Sequence, residues 1–536
     1  MMKIPRLATL RLATTLGALL THNAYRDPGG IAIVCDGRRV TYGELDLLSN
    51  RLANTLIARG IAWGDRVAVY LPNGVELVVA LCGVLEAGAI VVPVSTRLAA
   101  AEIDIMMEDS KPAAVLFHAG ARAAVNAFAA KLSDPLLICD GGAVAGELDL
   151  NEVLTTGSPS PVTRISSANY DALIAYTSGT TGRPKGAVST HANLTLGSGM
   201  MTAEAWGLRP DDVILITTPM AHRIGLARLA NAFVLGAKLA IMPRFEVAAA
   251  VDLIEAEGVT VVSLVPTIAR MLLPEIERRR QACRSIRIVV ATGEAFPEDV
   301  QLRLTELLPQ VRVYGFYSQT EGGFMASLSP EDRLTHPGSV GRPVPTVEIR
   351  IVDDIMRDVA PGNPGEILVR CGAPGERSVM RGYYRLPDAN AEAFIDGWLR
   401  TGDVGHMDDD GFLYFVDRAK DMIVSGGLNI YSREVELALA KHAAVADAAV
   451  IAVPDQEFGE AVMAFVELAP GRTVSPEELI EHCRAYIAGY KKPKHVSFVA
   501  ALPRNTTGKV MKGLLRDQAR QERPELFAKS AAKLGV

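Results

Sequence analysis

The residues best suited to chemistry are concentrated in one short segment, residues 176–186, with the sequence Tyr-Thr-Ser-Gly-Thr-Thr-Gly-Arg-Pro-Lys-Gly. Glycines let backbone N–H groups turn toward an anion, hydroxyls donate hydrogen bonds to phosphate oxygens, and a lysine adds a mobile positive charge. An apolar run at residues 172–175 precedes the segment, and a helix-compatible stretch follows it. We therefore expect a loop between a strand and a helix that holds a polyphosphate.

The spacing in this segment is Gly-x-x-Gly-x-x-Lys, which differs from the Walker A pattern because no Gly-Lys-Ser/Thr run is present. A flexible surface loop is the alternative interpretation of a stretch so rich in Ser, Thr and Gly. The apolar run before the segment and the Pro-Lys-Gly that ends it favour the phosphate loop.

Three further segments carry side chains that could bind a nucleotide or its metal ion. They are Tyr-Ser-Gln-Thr-Glu at residues 317–321, Thr-Gly-Asp at 401–403 and Pro-Arg-Asn-Thr-Thr-Gly-Lys at 503–509. Taken singly, each has an ordinary structural explanation: a tyrosine packed in the core, a carboxylate at a helix N-terminus, an aspartate in a turn, and a solvated lysine. Only their combination in one chain favours a shared function.

The elements that must position these segments alternate along the chain. Residues 31–34 and 39–41 predict two strands joined by a turn at Asp36 and Gly37, and Thr41 with Glu44 predicts a capping box that begins a helix. This alternation predicts an α/β fold, in which parallel-type sheets are covered by helices. The next predicted strands are 66–71, 89–94 and 113–117, with helices at 75–87 and 102–109.

Three later strands each run into a polar or glycine-bearing loop. They are predicted at residues 212–217, 286–293 and 311–314, and a further core strand is predicted at 259–265. Ligands of open α/β sheets bind outside the carboxyl ends of the strands. We therefore expect the site at these loops, among them residues 218–225 and 315–323.

The composition of the sequence changes near residue 340, after which prolines, glycines and short predicted strands become frequent. We predict a large N-terminal domain over residues 1–417 with a β-rich subdomain at about 340–417. A charged break gives a hinge at 418–420, and residues 421–536 form a small mobile α+β domain. Residues 140–168 are expected to be a loop-rich link.

Composition narrows the class of protein further. The chain has 536 residues and a net charge of -6, which suggests several domains and argues against a general nucleic-acid binder. Six cysteines without a CxxC pair predict reduced thiols in a cytoplasmic protein, without a disulfide framework or a zinc site. The most apolar window, residues 75–94, contains Glu76, Glu86 and Gly88, so it predicts a buried helix and a strand rather than a membrane span.

Five motifs in fixed order resemble the adenylate-forming superfamily, which includes acyl-CoA synthetases, luciferases and the adenylation domains of peptide synthetases. The motifs are residues 176–186, 317–321, 401–403, 417–430 and 503–509. The resemblance spans about residues 15–520 and is to the fatty-acid or aromatic-acid CoA ligase type. It implies that a carboxylate attacks the α-phosphate of ATP, releasing pyrophosphate, and that a thiol then displaces AMP from the acyl-AMP.

The resemblance also implies roles for single residues in nucleotide binding. Glu321 is the expected Mg²⁺ ligand, because a lone carboxylate with phosphate oxygens suits magnesium. Thr320 would donate to the α-phosphate, Tyr317 would stack on adenine, Asp403 would accept hydrogen bonds from both ribose hydroxyls, and Arg418 would contact ribose or phosphate. The remaining nucleotide residues are Thr177, Ser178, Gly179, Thr180, Thr181, Gly182 and Lys185 for the phosphates, and Gly293, Glu294 and Ala295 beside the adenine.

The second half of the implied mechanism depends on the C-terminal domain. Lys509 would bridge the substrate carboxylate and the α-phosphate during adenylation. Rotation about Lys420 would then withdraw Lys509 and bring a glycine segment to line a pantetheine tunnel. His222 would gate that tunnel, although a core histidine is the alternative. The glycine segment consists of Ser425, Gly426 and Gly427.

The acyl pocket is less well defined by the sequence. Ser318 stands where the family has glycine, and its side chain would narrow the pocket. Arg223 could meet a second carboxylate of the substrate or face solvent, and we expect solvent. Medium-chain, aromatic and dicarboxylic acids all remain open. The expected lining residues are His222, Arg223, Gly225, Val265, Tyr314, Gly315, Phe316 and Ser318.

Three functions compete at this stage. The first is a free-standing acyl-CoA synthetase that uses ATP, Mg²⁺ and CoA, for which the basic residues 490–494 could meet a CoA phosphate. The second is an acyl-AMP ligase that loads a carrier-protein thiol, and the third is a non-catalytic nucleotide-binding protein of the same fold. Homodimer formation is left open, and no nucleic acid or membrane partner is expected.

Overall fold

The computed structural model describes residues 14–162, 167–177, 184–292, 296–504 and 508–527. The chain divides into two compact units. Unit 1 comprises Met1–Ile349 and Leu368–Thr401, and unit 2 comprises Arg350–Ile367 and Gly402–Val536. The domain limits and the hinge expected from the sequence remain predictions.

The larger sheet of unit 1 has nine strands within the described residues. Its central strands are parallel, and an antiparallel strand follows at each side. This agrees with the expected parallel sheet. In spatial order the strands are Arg342–Pro343, Gly323–Leu328, Arg312–Gln319, Ile288–Ala291, Val261–Leu264, Val213–Ile216, Lys238–Ile241, Ile31–Cys35 and Arg38–Thr41.

The second sheet of unit 1 has eight strands in the part of the chain that is described. Its strands are parallel except at the edge formed by two antiparallel additions. In spatial order they are Gly382–Tyr383, Lys185–Thr190, Asp171–Thr177, Ile90–Pro93, Arg66–Tyr70, Ala114–His118, Leu136–Asp140 and Leu148–Asp149.

Helices surround these sheets, and their ends follow the expected chemistry. The helix Tyr42–Ala58 begins with the predicted capping box, because Thr41 Oγ1 accepts from Glu44 N at 3.1 Å and Glu44 Oε2 accepts from Thr41 N at 2.8 Å. The other helices of unit 1 are Leu16–Arg26, Val75–Glu86, Ala100–Ser110, Arg122–Ala129, Leu150–Thr156, Met201–Trp206, Arg223–Leu235, Val247–Glu257, Pro266–Arg278, Glu298–Leu307, Pro330–Thr335 and Pro387–Ala393, with 3₁₀ turns at Ala119–Ala121 and Arg280–Cys283 and a π-helix at Asn193–Met200.

Unit 2 contains the residues predicted to form the small domain, and its five-stranded sheet is mainly antiparallel. Its long hairpin pairs Val445–Asp455 with Gly459–Leu468, and helices flank it. The other strands are Ile423–Ser425, Leu428–Ile430 and His495–Val499, and the helices are Ser432–Leu439, Pro476–Arg484, Lys512–Glu522 and Pro524–Phe527, with a 3₁₀ turn at Ala419–Asp421.

Three strands of the β-rich segment contain the points where the chain passes between units: Glu348–Val352, Gly365–Arg370 and Trp398–Met407. Within unit 1, Phe394–Ile395 pairs with the beginning of Trp398–Met407. Within unit 2, the end of that strand pairs with Leu413–Arg418. The strands predicted after residue 340 are therefore present.

Three sequence expectations are wrong in detail. The glycine loop joins two antiparallel strands rather than a strand and a helix, because Lys185–Thr190 pairs with Asp171–Thr177. The strand Arg312–Gln319 continues through Tyr317, where a loop was expected, because it pairs with Gly323–Leu328. The link at 140–168 contains the helix Leu150–Thr156. The first two differences arise from hairpins, in which each strand pairs with the next strand along the chain.

The apolar helix Val75–Glu86 is buried along most of its length, as expected for a core helix. No helix among the described residues is both long and apolar enough to cross a bilayer. Each of the six cysteines is buried and unpaired with another cysteine.

Glu86, at the end of this helix, has a buried carboxyl group, and the nearby Ser49 hydroxyl offsets that burial only in part. A Cβ on Gly17 would lie 2.6 Å from Glu86 Cγ, so glycine is needed there for close approach. Burial, and then the charge of Asp46, raises the pKa of Glu86 well above its usual range. Glu86 is therefore expected to be protonated in the folded protein where it would ionise in the unfolded chain.

We expect Glu86→Gln to stabilise the protein at alkaline pH. The folded-state pKa exceeds the unfolded value of 4.5, so the stability contributed by this carboxyl is complete below about pH 4.5 and is lost as pH rises through the folded pKa. The variant should gain about 1–3 kcal/mol over wild type at high pH, the scale of an unsatisfied buried polar group. Urea unfolding from pH 5 to 9 would measure the difference. Glu76→Gln, in the first turn of the same helix where the carboxylate is 34% exposed and paired with Arg38, is the control. An equal difference between Glu86→Gln and wild type at every pH would contradict the prediction.

Candidate active site

Two of the predicted motifs meet at the carboxylate of Glu321. Thr177, at the end of the strand before the glycine loop, donates from Oγ1 to Glu321 Oε1 at 3.1 Å. The hydroxyl of Tyr383 donates to the same oxygen at 3.2 Å. The backbone of Glu321 is held as well, since its carbonyl accepts from Met380 N at 2.7 Å. Two hydroxyls therefore orient one carboxylate beside the start of the glycine loop.

Sheet register brings Lys185 to the same corner. The pair Gly382–Tyr383 adds to the strand Lys185–Thr190, with Tyr383 opposite Ala187. The ammonium of Lys185 then lies 5.0 Å from the centre of the Tyr383 ring, within reach of a cation–π contact. Lys185, Tyr383 and Glu321 thus form one chain of contacts.

Sequence analysis missed Tyr383. It lies about 200 residues from the glycine loop, and its local sequence, Arg-Gly-Tyr-Tyr, carries no motif. The only local signal is Gly382, whose φ of 153° and closeness to Asn390, 2.8 Å from a built Cβ, require glycine. That signal indicates a tight backbone and says nothing about a ligand.

The residues just before Glu321 are held by contacts of their own. Tyr317 is buried in the strand Arg312–Gln319, whereas Ser318 is exposed. Gln319 donates from Nε2 to the carbonyl of Thr401 at 3.1 Å. Thr320, the predicted phosphate donor, is anchored through its backbone carbonyl, as described next. None of these contacts tests the nucleotide-binding roles expected for Tyr317 and Thr320, so those roles stay predictions.

Arg223 does not face solvent, and that expectation is wrong. Its Nη1 donates to the carbonyl of Thr320 at 2.7 Å and to Ser189 Oγ at 2.8 Å. Burial lowers the pKa of Arg223 to about 10, and the nearby charge of Glu321 opposes this shift. Its Nη2 is buried without a hydrogen-bond partner in the described parts of the chain. Through its hydrogen bond to the Thr320 carbonyl, Arg223 holds the backbone next to Glu321 in place.

His222 is the residue immediately before the helix Arg223–Leu235, and its side chain makes no capping hydrogen bond there. Burial, and then the charge of Arg97, lowers the pKa of His222, so the neutral ring is favoured. Gly225 lies against the backbone of Met220, where an added Cβ would be 2.4 Å from its Cα. The helix can thus approach the preceding turn only because residue 225 is glycine.

The other residues predicted to line the acyl pocket lie in one strand or next to a helix, and each has its own contacts. The ring of Phe316 packs against Trp206 and Phe324, with ring centres 5.4 and 6.0 Å away. Tyr314 accepts a hydrogen bond from Arg312 Nε at 3.0 Å. Val265 is the residue before the helix Pro266–Arg278, and Gly315 follows Tyr314 in its strand.

In unit 2, Asp403 pairs with Arg418 across two antiparallel strands. The two residues are opposite in register, and Arg418 Nε lies 3.1 Å from Asp403 Oδ1. Asp403 is 2% exposed, so its carboxylate faces this cation inside the protein rather than bulk water. The predicted ribose ligand and the predicted phosphate ligand are neighbours.

Lys509 lies in the same charged group of unit 2. Its side chain keeps solvent contact, yet the protein packed around the ammonium, followed by the charge of Arg418, lowers its pKa to about 8. The negative charge of Asp403 raises the pKa of Lys509, whereas the positive charge of Lys420 lowers it further. Lys420 itself lies in the 3₁₀ turn Ala419–Asp421.

The glycine segment predicted for the thiol tunnel forms the turn of a hairpin. Ser425 pairs with Leu428, and Gly426 and Gly427 between them have φ values of 59° and 80°. Both values lie in the left-handed region, which glycine adopts at low cost. Several other predicted residues lie outside the described part of the chain: Ser178, Gly179, Thr180, Thr181, Gly182, Gly293, Glu294 and Ala295.

The Glu321 corner fits a magnesium–nucleotide complex chemically. Mg²⁺ prefers oxygen ligands and is commonly held by one or two carboxylates plus phosphate oxygens. Glu321 supplies one carboxylate, and Thr177 and Tyr383 fix its orientation through hydrogen bonds. Such outer contacts hold ligand geometry in metal sites.

Comparison with known proteins agrees with this geometry. The family model described as AMP-binding enzyme matches residues 20–384, and the model described as AMP-binding enzyme C-terminal domain matches residues 434–509. The chain is 34% identical over 487 residues to the long-chain-fatty-acid–CoA ligase FadD13 of Mycobacterium tuberculosis, covering 90% of this chain and 93% of that protein.

Two further similarities bear on the substrates. A fatty acid–[acyl-carrier-protein] ligase, ScoC of Streptomyces coeruleorubidus, is 33% identical over 96% of this chain and 97% of its own length. The solved structure of O-succinylbenzoate coenzyme A synthetase (MenE) from Bacillus subtilis, in complex with ATP and magnesium ion, matches with a TM-score of 0.82. It is 31% identical, and the match covers 93% of this chain and 99% of that one.

Proposed function

This chain belongs to the adenylate-forming superfamily as an AMP-binding enzyme of the acid–thiol ligase class, and from that premise we propose that it activates a carboxylic acid with ATP and transfers the acyl group to coenzyme A. The observation that carries the proposal is the corner at Glu321, where the glycine-loop strand, the Tyr-Ser-Gln-Thr-Glu segment and Tyr383 meet.

In the first half-reaction, a carboxylate oxygen of the acid attacks the α-phosphorus of ATP, and the bond from that phosphorus to the bridging oxygen of pyrophosphate breaks. We assign the β- and γ-phosphates to Thr177 and Lys185, the α-phosphate to Thr320, and the ribose to Asp403. A magnesium ion bound through Glu321 would neutralise phosphate charge. Lys509 would stabilise the charge that develops between the two reacting anions.

In the second half-reaction, the thiol sulfur of CoA attacks the acyl carbon and the bond to the AMP oxygen breaks, while the thiol proton leaves to solvent. The neutral ring of His222 would gate access to the acyl carbon without adding charge there. The hairpin turn at Gly426 and Gly427 would offer backbone groups to the pantetheine arm.

A pyrophosphate-release assay over a panel of medium-chain, aromatic and dicarboxylic acids tests the proposal. With ATP and Mg²⁺ present, we expect acid-dependent pyrophosphate release, and acyl-CoA formation once CoA is added. Absence of pyrophosphate release with every acid would overturn the assignment.

A second acceptor is favoured by one observation, the similarity to the carrier-protein ligase of Streptomyces coeruleorubidus. Parallel incubations of the acyl-AMP-forming enzyme with CoA and with a phosphopantetheinylated carrier protein separate the two acceptors. The proposed function requires faster thioester formation with CoA. Transfer only to the carrier protein would replace the acceptor and leave the adenylation chemistry intact.

The pKa of Lys509 predicts the pH dependence of adenylation. The ammonium form carries the useful charge, and it predominates below a pKa of about 8. Adenylation should therefore fall as pH rises through about 8. In Lys509→Arg the charge persists at all these pH values, so the alkaline decline should disappear even if the rate is lower. Initial rates of pyrophosphate release from pH 6 to 9.5 would measure both profiles, and an identical decline in the variant would assign it to another group.

A further inference from the structure

Arg228 is a buried cation for which the described residues supply no ion-pair partner. The residue is 3% exposed, and its Nε and Nη1 are buried without hydrogen-bond partners among the residues the structure describes. Its guanidinium stacks over Trp206, with Cζ 4.5 Å from the ring centre. Burial of an uncompensated charge is destabilising, and a cation–π contact offsets only part of that cost. The guanidinium nevertheless stays protonated at neutral pH, because burial lowers the pKa of Arg228 only to about 9.

The unpaired nitrogens of Arg228 and its neighbour Trp206 call for a hydrogen-bond acceptor. Trp206 is 1% exposed, and its indole Nε1 also has no hydrogen-bond partner in the described structure. Arg and Trp nitrogens are donors only, so three buried donors lie in adjacent side chains. A carboxylate supplies several acceptor lone pairs and the opposite charge. The unpartnered Oδ1 of Asn231, one turn further along the helix, is an acceptor but carries no charge.

This pair adjoins the predicted acyl pocket. Trp206 packs on Phe316 and Phe324, with ring centres 5.4 Å away in both cases. Phe316 belongs to the strand that leads to Thr320 and Glu321. Arg228 shares its helix with Arg223, whose side chain binds the Thr320 carbonyl. Arg228 is five residues beyond Arg223, which places it about 7.5 Å further along the helix axis and about 140° around it.

We propose that the acid activated by this enzyme carries a second carboxylate, which Arg228 and Trp206 bind at the far end of the acyl pocket. The inference rests on the proposed function and names its substrate class. An extended carbon chain advances by about 1.2 Å per bond, so carboxyl carbons about 6–8.5 Å apart correspond to adipate through suberate. Binding such an anion would supply the counter-charge that Arg228 lacks.

Matched acids test the proposal: adipate against hexanoate, and suberate against octanoate. The expected result is a higher kcat/KM for each diacid in pyrophosphate release. Arg228→Met, which removes the charge at similar length, should lower the diacid value by at least about 10²-fold and so abolish the preference for the diacid over the matched monoacid. Arg228→Lys should retain part of the preference. Equal or better use of the monoacids by the wild-type enzyme would overturn the proposal.

Thermal unfolding gives a readout independent of catalysis. Without ligand, Arg228→Met should raise Tm by about 2–4 °C, because it removes an unpaired buried charge. The matched control is Arg287→Met: Arg287 Nε donates to buried Asp212 at 2.8 Å, so its loss should lower Tm. A diacid should raise the Tm of wild type and have no effect on Arg228→Met.

The two assays separate the failure of each idea. Monoacid-dependent pyrophosphate release without a diacid preference would leave the proposed function standing and overturn the second-carboxylate site. A diacid that raises Tm through Arg228 without any pyrophosphate release would support the site and contradict the proposed function. If no acid caused either pyrophosphate release or a rise in Tm, both the proposed function and the second-carboxylate site would be overturned.

Discussion

Lys509→Ala should lower the rate of adenylation by roughly 10²–10³-fold, the effect of removing one preorganised transition-state donor. The physical reason is that two anions, a carboxylate and a triphosphate, must meet while charge develops at the α-phosphorus. Loss of the ammonium leaves that charge unscreened. Pyrophosphate release under saturating ATP and acid measures this half-reaction directly.

The second half-reaction distinguishes this role from general damage. Supplied acyl-AMP should still react with CoA at near the wild-type rate in Lys509→Ala, because no phosphate charge develops in that step. Arg520→Ala, which removes an exposed cation of the same unit, serves as the control and should affect neither step. Equal loss of both half-reactions in Lys509→Ala would contradict the assignment.

Glu321→Gln should also reduce adenylation by roughly 10²–10³-fold, and it should raise the Mg²⁺ concentration needed for half-maximal rate. The amide keeps the size of the side chain and an acceptor for Thr177 and Tyr383, but it removes the negative charge that binds the cation. The measurement is a Mg²⁺ titration of pyrophosphate release for both proteins. An unchanged Mg²⁺ requirement would exclude Glu321 as the metal ligand.

Two comparisons control this experiment. Glu331→Gln neutralises a carboxylate paired with Arg312 at the surface of the same unit and should leave the Mg²⁺ requirement unchanged. Tyr383→Phe removes one hydrogen bond to Glu321 and keeps the charge, so it should cost about 10-fold, as for an outer contact of a metal ligand. The thermal stability of Glu321→Gln should also be measured, because Glu321 is the carboxylate whose charge favours ionised Arg223.

Arg223 lies beside the residues that are proposed to bind phosphate and metal. Its guanidinium donates to the Thr320 carbonyl and to Ser189 Oγ, so it holds the backbone that carries the proposed phosphate donor and the proposed metal ligand. In unit 1, the proposed acyl pocket and the proposed phosphate site would therefore share this cation. A substitution at Arg223 is expected to disturb both, which makes Arg228 the cleaner position for testing acid selectivity.

The sequence by itself was sufficient for the reaction class and for most elements. Glycine and lysine spacing in residues 176–186 and the capping box at Thr41 and Glu44 are local patterns, and the apolar runs report burial directly. The α/β class follows from their alternation, since a parallel strand requires a crossover helix. These properties depend on neighbours a few residues apart, which a sequence displays.

Only the tertiary structure decided which distant residues meet. Tyr383 reaches Glu321 and Lys185 because Gly382–Tyr383 pairs with a strand nearly 200 residues earlier. Arg223 and Arg228 lie on one helix, yet one binds a backbone carbonyl and the other stacks on Trp206. Register and packing set these contacts, and both depend on the whole chain. The buried, uncompensated charge of Arg228 is therefore visible only after folding, although the arginine is plain in the sequence.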